Sequence, residues 1–334
     1  MKRIFLSIVI PAYNYPELLD RLINSIWSSR KINREEIEII VVDDASKISL
    51  KPTVIKYKVR YFRLKKNSGP AKARNLGVDK ALGELILFLD SDVVLFPNTL
   101  ARVVGLYKRN PDLVAATGVW DKKQKSNSFF PNFKALRDWS YWIIERNGGL
   151  YYLFSPRIAS IKKNIFKGVG GFNTKYKGAD VEDIELTYKI AEKYDIKFDE
   201  KTKVKHEFGG FGSIARGYFR RSFLWTPLFL KRKKFDPVAT TGRETFTGLT
   251  AVLAVVGFFL VLITGKFHTI AIFFLLLHFL LVSRFLKFVY SEKGAFFAIR
   301  SFFAGIILYL VIYAGSLWYF LSLPFKIVKE RFFK

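Results

Sequence analysis

The sequence contains no cysteine, which excludes a disulfide framework and thiolate chemistry and suits a reducing compartment. It also lacks a Walker loop and a Gly-x-Gly-x-x-Gly fingerprint, which argues against a nucleotide triphosphatase or a dehydrogenase. Acidic residues are scarce: 28 Asp and Glu against 55 Lys and Arg leave a formal charge of +27 and a pI near 10.0. Yet half of the residues are hydrophobic and the mean hydropathy is +0.15. Nucleic acid would account for the charge but not for the apolar content, so no nucleic-acid partner is expected. An anionic bilayer surface accounts for both, because Lys and Arg gather on the cytoplasmic side of membrane proteins. A signal peptide is not expected either. Met1-Lys2-Arg3 is basic, but the apolar run behind it breaks at Pro11 within a strand-like pattern. With 334 residues, the chain has room for a soluble domain and something more.

What is present centres on Glu84 to Asp92. Five apolar residues, Leu85 to Leu89, stop at Asp90-Ser91-Asp92. Such a run suits a strand buried on both faces of a parallel sheet, whose ligands sit beyond the strand's carboxyl end. Two close carboxylates repel unless a cation lies between them, and oxygen ligands suit Mg2+ or Mn2+ completed by substrate phosphates. From these residues alone, a strand followed by an Asx-type turn stays equally open.

The surrounding pattern alternates strands with helices. Residues 4–10 read as a strand ending at Pro11-Ala12-Tyr13-Asn14, and a helix follows from Pro16. Ile37 to Val42 is a second strand ending at Asp43-Asp44, and Lys58 to Leu64 a third. Asn67-Ser68-Gly69-Pro70 turns into a helix from Ala71 to Leu82. This alternation predicts a Rossmann-like, mainly parallel α/β sheet. Further helices are expected at 97–109, 131–146 and 180–193, with strands at 113–120, 151–161 and 203–207. Residues 213–234 mix arginines with Phe, Trp and Leu and end in Lys231-Arg232-Lys233-Lys234. They suit a helix in the membrane interface or one packed on the domain itself.

Beyond this point the chain turns to bilayer composition. Residues 245–265, 267–283 and 301–325 carry no charge, and a span needs about 20 apolar residues. Three membrane helices are expected, the first two as a tight hairpin. Basic flanks at 231–234 and at Arg284, Lys287 and Lys293 place both on the cytoplasmic side, with residues 1–240. The domain boundaries expected are 1–212 for the soluble domain, 213–240 for the interfacial region and 241–334 for the membrane region.

Several of these features meet at one edge of the sheet. Pro11 to Asn14, Asp43-Asp44 and Asp90-x-Asp92 each follow a strand, and Asn67 to Leu76 supplies a helix N-terminus with Lys72 and Arg74. Free backbone N–H groups there attract phosphate. Together they outline a nucleotide-phosphate site.

These residues resemble the family-2 glycosyltransferases of the A-type (GT-A) fold. Ser7 to Asn14, Val41 to Ser46, Asn67 to Gly77 with Gly83 and Phe88 to Asp92, Gly170 to Asn173, and Glu182 to Leu186 are similar to that family's signatures, in order. The resemblance covers about residues 4–225. It implies that Pro11, Tyr13 and Asp44 hold the nucleoside, with Ala12 and Asp43 beside them and Asp44 accepting from the base. It implies that Asp90, Ser91 and Asp92 bind the ribose and the metal on the diphosphate, that Asp183 is the catalytic base with Glu182 its neighbour, and that His206 approaches the metal or diphosphate. A lone His is more often structural, so that role and a structural one both stay open for His206.

The resemblance implies inverting transfer from a UDP- or GDP-linked sugar. Because the acidic segment is followed at once by basic-aromatic and bilayer stretches, the expected acceptor is lipid-linked or membrane-embedded. Two departures narrow the class. Val93-Val94 follow Asp92, where polyprenyl-phosphate sugar synthases carry Leu-Gln, so that enzyme stays the alternative. Arg216 to Arg221 lacks the Gln-x-x-Arg-Trp of processive polysaccharide synthases. A non-catalytic membrane assembly protein would require the acidic pairs to be incidental.

Overall fold

The computed structural model describes residues 4–144, 153–176, 178, 180–235 and 241–332. The chain divides into two compact units. One comprises Met1–Lys125 with Gly148–Glu207, the other Ser126–Asn147 with Phe208–Lys334.

The first unit is a mixed, mostly parallel sheet whose strands are β1 (Leu6–Ala12), β2 (Ile37–Asp43), β3 (Arg60–Arg63), β4 (Leu85–Phe88), β5 (Val93–Leu95), β6 (Ala115–Trp120), β7 (Ala159–Lys162) and β8 (Ile196–His206). Their order across the sheet is β3-β2-β1-β4-β7-β6-β8-β5. β1, β2, β3 and β4 run parallel, β7 runs antiparallel to β4 and β6, and β5 runs antiparallel to β8. Every residue of β1 and β4 is buried, which is why these strands read as unbroken apolar runs. The helices are α1 (Pro16–Trp27), the single-turn α2 (Lys51–Val54), α3 (Pro70–Lys80), α4 (Thr99–Arg109), then α5 (Phe129–Trp139) of the second unit, α6 (Lys163–Gly168) and α7 (Glu182–Ala191).

α3 lies close on the sheet because its inner face is small: Ala71, Ala73 and Gly77 are all buried. A Cβ on Gly77 would stand 2.3 Å from Val9 Cγ1. Beneath it, Phe88 meets Phe154, Phe166 and Phe172 with ring centroids 5.3 to 6.0 Å apart, so an aromatic cluster anchors the end of β4 that carries the acidic pair.

Two strands differ from expectation. The strand expected at 203–207 is the end of the longer β8, whose first half alternates only over Ile196-Lys197-Phe198-Asp199 before the charged run Glu200-Lys201 interrupts the pattern. The strand expected at 151–161 begins only at Ala159, after a turn closed by Ile158 N–H donating to Ser155 O; residues 151–152 lie outside the described residues.

The second unit holds α5, the π-turn Ser140–Ile144, α8 (Phe211–Arg232), α9 (Gly242–Thr264), α10 (His268–Lys293) and α11 (Ala295–Phe332). α9, α10 and residues Ala295–Pro324 of α11 are each long and apolar enough to cross a membrane. Gly265, at φ 65°, ends α9 and starts the expected hairpin. α8 packs on α11 so closely that a Cβ on Gly315 would meet Ser222 Oγ at 2.1 Å. Ile214, Ser222 and Thr226 form its buried stripe, while Arg216, Arg220 and Arg221 are exposed. Arg137 of α5 donates to both oxygens of Glu244 on α9 and to Tyr309 Oη on α11. This network fixes three helices of the unit through charge-assisted hydrogen bonds.

Candidate active site

The carboxyl ends of β1 and β2 carry the expected nucleoside side. Pro11 and Ala12 are buried and Tyr13 is exposed. Asn14 adopts φ 57° and Ala45 φ 59°. Asn14 Oδ1 accepts from the N–H groups of Lys47 and Ile48, and its own N–H donates to Ser46 Oγ, so the two loops are tied together.

Asp43 and Asp44 are both buried but serve different ends. Asp43 accepts from Ser46 N–H at 2.7 Å, Tyr61 Oη at 2.6 Å and Arg63 at 2.7 Å. Burial alone would raise its pKa, but the hydrogen bonds from Ser46 and Tyr61 and the Arg63 charge outweigh it and hold the carboxyl below the usual range. Asp44 accepts from Ser68 N–H at 2.7 Å and Gly69 N–H at 2.8 Å. Its pKa is raised, by burial first and by the neighbouring Asp43 charge. Asp44 therefore spends both oxygens on the loop that opens α3, where Gly69 takes φ 89°, a conformation suited to glycine. Two backbone donors that sequence reasoning assigned to phosphate are taken by this carboxylate.

Arg74 differs most from its expected place. Rather than an open phosphate ligand, it is buried and bridges two acids: Nη2 to Asp90 Oδ1 at 2.7 Å and Nη1 to Glu182 Oε1 at 3.1 Å. It also lies 5.3 Å from the centroid of the Phe172 ring. Lys72 on the same helix is exposed.

Glu182 and Asp183 open α7. Glu182 is 3% exposed and its second oxygen accepts from Asp180 N–H at 2.7 Å. Burial first, then the Asp183 charge, raises its pKa against the opposing pull of Arg74. Asp183 is half-buried, and its Oδ1 accepts from Ile184 N–H. Nearby, Glu185 accepts twice from Asn173 Nδ2, and burial together with Glu185 pushes the Tyr176 hydroxyl well up. Asn173 closes the Gly170–Asn173 signature but had no role read for it, and Tyr176 carried no signal in the sequence.

Asp90-Ser91-Asp92 forms a turn closed by Val93 N–H donating to Asp90 O at 3.3 Å, so the two carboxylates sit on a turn and not on one face of extended backbone. The chain then enters β5, whose Val93 pairs with His206 of β8. That register sets Asp92 Oδ2 at 3.4 Å from His206 Nε2. Burial would raise the Asp92 pKa, but the His206 hydrogen bond and the His206 and Arg157 charges lower it. The Asp92 side chain is 46% exposed. Among the described residues, no three His, Asp or Glu cluster to hold a metal by themselves. With Asp90 engaged by Arg74, Asp92 and His206 offer one oxygen and one nitrogen ligand, a set that suits a divalent ion completed by diphosphate oxygens.

Arg157 and Trp120 were not anticipated. The Arg157 guanidinium lies 4.2 Å from the centroid of the Trp120 ring. In a chain with 55 Lys and Arg, nothing marks this one out.

Residues 7–170 match Glycosyl transferase family 2. Over 247 residues the chain is 28% identical to an uncharacterized glycosyltransferase of Rickettsia typhi, covering 71% of this chain and 75% of that protein. It is 35% identical over 99 residues to the poly(ribitol-phosphate) beta-N-acetylglucosaminyltransferase TarS of Staphylococcus aureus, 28% of this chain and only 17% of TarS. A match to a Rickettsia bellii glycosyltransferase spans 15% of that relative. Among solved structures, a mannosyltransferase from Pyrobaculum calidifontis in complex with GDP-Man and Mn2+ aligns over 96% of this chain and 88% of its own, with a TM-score of 0.59 at 16% identity. TarS 1-349 in complex with UDP-GlcNAc aligns over 93% and 91%, with a TM-score of 0.51 at 19% identity. The sheet order, the acidic turn after β4, the acidic start of α7 and the match over residues 7–170 agree: the chain carries a glycosyltransferase family 2 domain with the GT-A fold.

Proposed function

We propose that the protein transfers one sugar, with inversion, from a nucleoside-diphosphate sugar to a lipid-linked or membrane-embedded acceptor, with Mn2+ or Mg2+ as cofactor. The observation that carries this reading is the buried chain Asp90–Arg74–Glu182. It ties the acidic turn to the first residue of α7 and so fixes Asp183 relative to the turn that would hold the diphosphate. Asp92 and His206 would hold the ion, which supplies positive charge to the leaving diphosphate. Asp183 would accept the proton of the attacking hydroxyl. Glu182, with both oxygens engaged, orients α7. Pro11, Ala12, Tyr13 and the loops locked by Asp43 and Asp44 would cradle the nucleoside.

The relatives supply the donor class. The Pyrobaculum structure was solved with GDP-Man and Mn2+, TarS with UDP-GlcNAc; both point to a nucleoside-diphosphate sugar and leave the base open between the two. The lipid-side acceptor is supported by chain continuity: β8 ends at His206, α8 starts at Phe211, and three apolar helices follow. Residues 1–212 would be the catalytic domain, 213–240 an interfacial segment and 241–334 the anchor, with the catalytic domain and the basic flanks cytoplasmic.

The test is a donor screen of the full chain in detergent. UDP- and GDP-linked sugars are incubated with Mn2+, Mg2+ or a chelator, and hydrolysis is followed with and without total membrane lipid. One donor should turn over with a divalent ion, and lipid should redirect its sugar into an organic-extractable product. Equal turnover with chelator rejects the metal, and an unextractable product rejects the lipid acceptor.

A further inference from the structure

Of the arginines close to the candidate site, two are already spent. Arg74 is neutralised by Asp90 and Glu182, and Arg63 by Asp43. Arg157 is not: it is bound to no carboxylate among the described residues, and its Nη1 is shut off from solvent without a hydrogen-bond partner. A buried donor left unbonded is costly, and an anion relieves that cost. The guanidinium is held by its face over Trp120, which leaves the edge donors, the part that grips phosphate in two parallel hydrogen bonds, uncommitted to that stack.

Its place in the sheet says which phosphate. β7 runs antiparallel to β4 with Ala159 opposite Phe88, so Arg157, two residues before Ala159, lies at the same edge as Asp90 to Asp92. Trp120 ends β6, which pairs with β7 through Thr117 and Ala159, and so reaches that edge too. In the strand order, β1 and β2 with the nucleoside loops lie on one side of β4, and β7, β6 and β8 on the other. Arg157 therefore stands across the acidic turn from the loops proposed to hold the nucleoside, on the flank of His206, with its charge acting on Asp92.

We propose that Arg157, stacked on Trp120, binds a phosphate carried by the acceptor. This rests on the transferase reading above and names the chemical class of its second substrate: a phosphate-bearing molecule, whether a lipid phosphate or a soluble polyol phosphate.

The test uses binding, so it stands apart from turnover. The full chain in detergent, saturated with Mn2+ and UDP or GDP, is titrated calorimetrically with two pairs of probes. One pair is a short-chain polyprenyl phosphate and the corresponding polyprenol; the other is glycerol 3-phosphate and glycerol. In the wild type the phosphate member of at least one pair should bind tenfold tighter or more, and which pair does so identifies the source. Arg157→Gln should bring that pair within about threefold, and Trp120→Leu should weaken the preference. Nucleotide affinity should stay within threefold in both, which also reports that they fold. If Arg157→Gln does not accumulate, Arg157→Lys decides: a point charge lacks the two parallel donors, so the preference must fall at least threefold. No phosphate preference in the wild type, a preference that survives the variants, or nucleotide binding that falls in step with it overturns the proposal. If no donor turns over but the phosphate preference is seen and lost with Arg157, the transferase reading fails and takes the acceptor role with it, while Arg157 remains a phosphate site.

Discussion

Asp183 and Glu182 are adjacent in the chain and differently employed in the fold. Glu182 is buried with both oxygens bound, whereas Asp183 is half-buried and hydrogen-bonded locally. Asp183→Asn keeps shape and hydrogen bonds but cannot take a proton. Turnover should fall about 100-fold or more, the size of a lost general base, with nucleotide affinity within a few-fold. Glu182→Gln leaves the buried Arg74 charge with one carboxylate instead of two, and breaking a buried pair costs on the order of 3 kcal/mol. Its melting temperature should drop while that of Asp183→Asn holds. Scanning fluorimetry beside a transfer assay separates the two. A Glu182→Gln protein that melts normally but does not turn over, next to an active Asp183→Asn, would make Glu182 the base. The Asp90-x-Asp92 pair was legible because it stops an apolar run, whereas Glu182 and Asp183 were singled out from the other acids of their helix only by the family resemblance. Sequence reasoning misplaced Arg74, whose partner Glu182 is 108 residues away.

At the scale of elements, the approach of α3 to β1 sets the height of the helix that carries Arg74. The contact depends on Gly77, where a Cβ would meet Val9 Cγ1 at 2.3 Å. Gly77→Ala should therefore destabilise by about 1–3 kcal/mol through overpacking, against the gain in helix propensity that alanine gives elsewhere. Adding Val9→Ala should restore part of the loss, since the two sites share one contact. Melting temperatures of the two single variants and the double variant measure this coupling; additive losses would mean the crowding is relieved elsewhere. The strands β1, β2 and β4 were legible because burial on both faces leaves an apolar run. β5 was not: three residues, Val93–Leu95, are too few to show a period, yet their pairing with β8 is what delivers His206 to Asp92.

For the whole molecule, the distribution of charge makes a topological prediction. Lys233 and Lys287 belong to the basic flanks and Lys266 to the hairpin turn between α9 and α10; all three are exposed. With no native cysteine, single cysteines at these positions give a clean test. In intact cells an impermeant thiol reagent should label Lys266→Cys and spare Lys233→Cys and Lys287→Cys; labelling of Lys233→Cys from outside overturns the proposed orientation.

The sequence by itself determined the parallel αβ framework, the three apolar helices and the positions of the acidic clusters, because burial, span length and element ends are written in local patterns. Tertiary structure decided how the charges are shared. Asp44 holds the α3 loop, Arg74 joins Asp90 to Glu182, Asp92 meets His206, and Arg157 lies on Trp120 with an unbonded donor. Each of these pairs joins different elements, so only the fold could decide which charges are neutralised and which remain for a ligand.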